Sequence, residues 1–159
     1  MNNSAQLAKH FREVYFGGNW TCSNLKDCLN NVNYTAATKR VGNFNTIAAL
    51  TYHIRYFVRA ALKVLEGGPL DANDKFSFDC PSIQSEEEWQ AFLNTTWAEG
   101  ERFAKLTEEL PDEKWQEIFC NAKYGSYYRN FLGIIEHTHY HLGQISLIKK
   151  MVINESTAV

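Results

Sequence analysis

Apolar residues recur at helical spacing in four long stretches of this chain, and no stretch alternates apolar with polar over the length of a strand. That pattern restricts the fold to helices packed on helices. Leu7, Phe11 and Val14 mark a first helix over about 4–16, stopped at Gly17-Gly18. Asn45 or Thr46 caps a second that runs to Glu66 and closes at Gly67-Gly68-Pro69, with Ala49, Leu50, His53, Phe57, Ala60, Ala61 and Val64 on one face. Ser85 followed by Glu88 is a capping-box pattern. It opens a third helix over about 86–109, carrying Trp89, Phe92, Leu93, Thr96, Phe103, Leu106 and Leu110. Pro111 interrupts it, and residues 112–119 form a further turn or two before a break near Gly125. The last helix spans about 127–152, with Ile134, His137, His141, Ile145, Ile148 and Val152 turned inward.

The intervening chain is less regular. Residues 20–41 are rich in Asn and Thr and predict a short helix within a long connection, while 67–84, with Pro69 and Pro81, predict an irregular crossover. Together these elements predict an all-α fold, a four-helix bundle with a long crossover connection. The 159 residues suffice for one domain, expected over 1–153 with a flexible polar tail at 154–159.

Composition narrows the function. Sixteen Lys and Arg stand against 18 Asp and Glu, so no broad basic surface exists to neutralise a phosphate backbone, and nucleic acid is not an expected partner. Apolar runs such as Ile47-Ala48-Ala49-Leu50 fall far short of the ~20 residues of a membrane span. The start, Met1-Asn2-Asn3-Ser4-Ala5-Gln6, lacks the basic and apolar regions of a secretory signal, which predicts a soluble, cytoplasmic protein. Cys22, Cys28, Cys80 and Cys120 contain no Cys-x-x-Cys pair and are expected as free thiols. Any metal site therefore has to be built from histidine.

Three of the five histidines lie in His137-Thr138-His139-Tyr140-His141. On a helix His137 and His141 are about 40° apart and one turn from each other, whereas His139 is rotated about 200° from His137. Only the first and third share a target. Both lie on the apolar stripe, as His53 does on the second helix, and an inward imidazole needs a partner. If the second and fourth helices are neighbours, three imidazole nitrogens converge, and a transition metal with an open fourth position suits them. The alternative is three core histidines hydrogen-bonded to backbone or hydroxyl groups. His10 and His139 read as boundary or surface residues, and Glu136 turns away from the pair. Gln144 is placed to orient a ligand or a bound water through its amide. Thr138 stands where a zinc protease has its glutamate, which argues against that chemistry. Trp89, Trp97, Trp115 and Tyr127-Tyr128 are expected mainly as core filling, with some walling a pocket above the metal.

The segment His139-Tyr140-His141-Leu142-Gly143-Gln144-Ile145, with His137 four residues before His141 and His53 in Ala49-Leu50-Thr51-Tyr52-His53-Ile54, resembles the DinB-like superfamily. Ser85, Trp89 and the four-helix layout support the resemblance over about residues 5–152. It implies a four-helix bundle with a long crossover, a divalent metal (zinc or nickel) held by His53, His137 and His141, and a homodimer. Better understood relatives are transferases or isomerases that use low-molecular-weight thiols such as bacillithiol or mycothiol. The expectation is thus a metal-dependent enzyme acting on a small-molecule substrate with a thiol cofactor. A metal held by three neutral imidazoles keeps its full charge and favours the anion of a thiol or water, making a nucleophile near neutral pH. A non-enzymatic metal- or ligand-binding stress-response bundle is the alternative. The superfamily's name refers to damage-inducible expression and implies no DNA binding.

Overall fold

Capping side chains fix where the helices begin. In the computed structural model, which describes residues 2–156, the Asn2 side chain accepts the Ala5 amide at 2.9 Å and opens α1 (Asn3–Phe16). Asn24 and Asn33 cap two short helices, α2 (Leu25–Leu29) and α3 (Tyr34–Thr38), where the sequence predicts one. Thr46 caps α4 (Ile47–Leu65) and Ser85 caps α5 (Glu86–Glu108). The Glu88 carboxylate reaches back as in a capping box but accepts the Gln84 amide, at 2.7 Å, one residue before the cap. After short 3-10 turns at Asp112–Gln116 and Ala122–Tyr124, α6 (Tyr127–Ser156) ends the described chain. Neither Gly nor Pro interrupts residues 144–156, and the helix continues past Val152. Residues 154–156, expected in the flexible tail, are therefore helical; 157–159 lie outside the described residues.

The chain is all-helical, and among the described residues the only bridge is an isolated one between Ile118 and Ser126. None of the described helices is long and apolar enough to cross a membrane. All four cysteines are unpaired.

The four long helices close a cycle: α1 packs on α5 and α6, and α4 packs on the same two. Side-chain pairs give the directions. Ser4 hydrogen-bonds the Leu110 carbonyl and Arg12 pairs with Glu101, so α1 and α5 are antiparallel. Arg55 forks onto Glu99 at 2.6 and 3.1 Å, and Glu66 meets Arg102 further along, so the neighbours α4 and α5 are parallel. Two parallel neighbours require the connecting chain to travel back along the bundle, about 28 Å for the 19 residues of α4. The crossover does this by lying along α4. Asn73 binds Tyr56, the Ser77 carbonyl meets His53, and the Cys80 thiol faces the Ala48 carbonyl.

Buried indoles fasten the remaining connections to this frame. The Trp89 Nε1–H donates to the Val32 carbonyl at 2.7 Å and ties the α2–α3 segment to α5. The Trp115 Nε1–H donates to Ser4 Oγ at 2.8 Å and ties the segment after Pro111 to the start of α1. Gly100 lets α5 approach α1, because a Cβ there would stand 2.8 Å from the buried Tyr15 ring. With both ends of the bundle pinned, the α4–α6 seam is held in register under the crossover.

Candidate metal centre

His53 from α4 and His137 and His141 from α6 meet at that seam. One ring nitrogen from each lies within 4.8 Å of the other two, and the His53 and His137 Nε2 atoms are 3.0 Å apart. Tetrahedral ligands at ~2.0–2.1 Å from a zinc ion stand about 3.3 Å from one another, so small side-chain adjustments suffice to share one ion. The sequence-predicted triad is thus assembled as a group.

Two of the rings are oriented by their second nitrogens. His53 Nδ1 faces the Ser77 carbonyl at 3.3 Å and donates to it, which leaves Nε2 with a free lone pair. His141 Nδ1 donates to Gln144 Oε1 at 2.8 Å, the orienting role expected for that amide, and its Nε2 is likewise unprotonated. With His53 Nε2 accepting, the short contact to His137 Nε2 carries the one proton that a cation would replace. The donor set, three neutral imidazoles with no carboxylate in the group, fits a divalent transition-metal ion.

Electrostatics keeps the rings neutral. Burial, then the neighbouring His141 and His53, push the His137 pKa down to about 4. Burial also lowers His53, with a further contribution from His141 that the Ser77 carbonyl and Asp74 oppose. His141 is lowered by burial against the opposing effect of its Gln144 bond. Neutral imidazole is the form that ligates a metal.

Aromatic rings enclose the group. Phe78, on the crossover, stacks on His53 with ring centres 3.9 Å apart, and Phe57 stands edge-on to His53 and His137 at 5.1 and 5.0 Å. These are not the aromatics the sequence singles out as pocket walls, since Trp89 and Trp115 are buried in the core. Sequence reasoning also missed Ser77. The one available signal is the Phe76-Ser77-Phe78 run in an otherwise polar crossover.

The remaining histidines are elsewhere. His139 points toward α1, its ring centre 6.3 Å from that of exposed His10, and Glu136 is exposed. One cavity is lined by a triad histidine and a second by the Gln144 that holds His141. The first, of about 330 Å3, touches His137, and the second, apolar and of about 260 Å3, reaches Gln144 between Phe44, Leu50, Leu147 and Met151. No protein-family profile, curated protein or solved structure matches this chain.

Proposed function

We propose that this chain is a DinB-like, divalent-metal-dependent enzyme, a transferase or isomerase that brings a low-molecular-weight thiol to a small-molecule substrate. The observation that carries the reading is the convergence of three neutral imidazoles, two of them oriented by Ser77 and Gln144. Zinc or nickel held by His53, His137 and His141 would supply charge that favours a thiolate at neutral pH. The chain's own residues hold the rings neutral, fix their tautomers and shield them beneath Phe57 and Phe78. A cavity at His137 gives a small molecule access, which favours an enzyme over a closed structural site.

The chain's cysteines support a thiol of external origin. Burial pushes the Cys80 thiol up to about 11, and Cys28 is paired with Ser146 at 3.1 Å. Cys22 and Cys120 are exposed, and Cys120 too is raised by burial. None belongs to the histidine group.

Reconstitution with zinc or nickel, followed by gel filtration and elemental analysis, is expected to leave about one ion per chain. A parent protein that retains none would remove the chemistry from this reading, while one ion per chain justifies screening thiol-transfer reactions.

The same reading includes a homodimer. Exposed Tyr140 and Leu147 lie seven residues apart on one face of α6, near exposed Phe44, and form an apolar strip that a second copy can cover. Leu147→Glu is expected to convert a dimer into a monomer in sedimentation velocity; a parent that already sediments as a monomer refutes the dimer.

A further inference from the structure

The cavity at His137 brings two cations, aromatic rings and an aliphatic side chain to one space. Its walls are Phe57, Lys123, Tyr124, Arg129, Ile134 and His137. The two cations come from separate elements, Lys123 from the 3-10 turn Ala122–Tyr124 and Arg129 from the first turn of α6. Among the described residues neither forms an ion pair; the Lys123 ammonium lies over the Tyr124 ring, 4.6 Å from its centre.

Local structure builds this pairing. Asn130 Nδ2 donates to the Tyr124 and Ser126 carbonyls at 3.0 and 2.8 Å, which fastens the Lys123 turn to α6. Between them Gly125 takes φ +78°, and a Cβ there would stand 3.0 Å from Arg129 Cδ. The guanidinium stem therefore packs over the glycine. Two like charges thus line one cavity together with apolar Phe57 and Ile134 and with His137.

We propose that this cavity is the carboxylate-binding pocket for the substrate, with Lys123 and Arg129 holding the acid group of a small molecule whose apolar body lies on Phe57, Tyr124 and Ile134. This rests on the function proposed above, for which it names the substrate class: an organic acid whose reactive end lies toward His137. Lys and Arg supply charge-assisted hydrogen bonds to a carboxylate. The aromatic wall gains a partner only if the anion carries an apolar body. Inorganic phosphate provides none.

Calorimetric titration with benzoate, benzamide and inorganic phosphate tests the assignment on the zinc-reconstituted protein and its Lys123→Gln, Arg129→Gln variant, with metal content measured in every sample. Both side chains are exposed, so the variant is expected to keep the circular dichroism of the parent. The parent should bind benzoate about tenfold or more tightly than benzamide, and the variant should lose that preference while keeping its metal. Equal binding of benzoate and benzamide by the parent would overturn the proposal. So would a preference that survives in the variant, as direct binding of the carboxylate to the metal would produce, or phosphate binding more tightly than benzoate.

Both cations belong to the chain, so the preference should persist after chelation. Failure of the metal reading then appears as absent metal with the preference intact. Failure of the pocket assignment appears as metal present with no preference.

Discussion

Changing His53, His137 or His141 singly to alanine weakens zinc or nickel binding on the order of a hundredfold or more, whereas His10→Ala and His139→Ala leave it unchanged. Three ligands share the binding free energy of such a site, and each removes a comparable fraction when lost. His10 and His139 face each other across α1 and α6, away from the group. Gln144→Ala should fall between these limits, losing about 10- to 100-fold, because the His141 ring stays while the acceptor that fixes its tautomer goes. Competition with a chromophoric chelator measures the parent and all six variants on one scale. Parent-like affinity in any one of the three alanine variants at the triad would show that the three rings do not act on one ion.

That the triad lies at a helix seam follows from a rotation the sequence pattern does not resolve. In α6 the predicted inward stripe holds at His141, Ile145, Ile148 and Val152, which are buried, but Phe131, Ile135, Thr138 and Leu142 are buried beside it while Ile134 and His137 are only partly so. In α4 the predicted face holds at Leu50, His53 and Ala61, which are buried together with Ile47, Ile54 and Val58, whereas Ala49, Phe57, Ala60 and Val64 are only partly buried. Each helix packs on two neighbours, which widens its apolar stripe and blurs the centre. The histidines therefore sit at the stripe's edge on both helices. There burial favours their neutral form, and a cavity still reaches His137.

Local signals give the helix boundaries, because caps and breakers act within a few residues. Thr46, Ser85 and the Gly67-Gly68 stop are legible for that reason. The crossover is legible only as irregular chain. Its role depends on α4 and α5 being parallel, a tertiary fact that no local window contains. Once they are parallel, residues 66–85 must retrace α4, and Ser77 and Phe78 come to lie against His53. Lys123 and Arg129 are invisible to periodicity for the same reason: charged residues around a loop acquire meaning only through the cavity they share.

Acid exposes the second large effect. In the metal-free protein His137 titrates near 4, whereas in the unfolded chain it returns to the ordinary 6.5. Between these values the unfolded chain binds more protons than the folded one, so folding stability rises with pH across this window. Stability is then full above about 6.5 and is lost progressively as pH falls toward 4. The loss from His137 is on the order of 1–2 kcal/mol once the ring's partial exposure is allowed for, and His53 and His141, lowered in the same direction, add to it.

Metal retention follows with a displaced midpoint. Ordinary imidazoles lose a metal to protons as pH drops through about 6.5. Here protons compete for His137 only as pH nears 4, so the metal should be held at pH values where isolated histidines release it, and then lost steeply as several rings titrate together. Thermal melts of chelated protein and elemental analysis after dialysis, both run from pH 7.5 to 3.5, read the two halves of this prediction. A metal-free melting temperature that does not fall between 6.5 and 4 would contradict the buried, neutral His137, and metal retained undiminished at 3.5 would contradict histidine ligation.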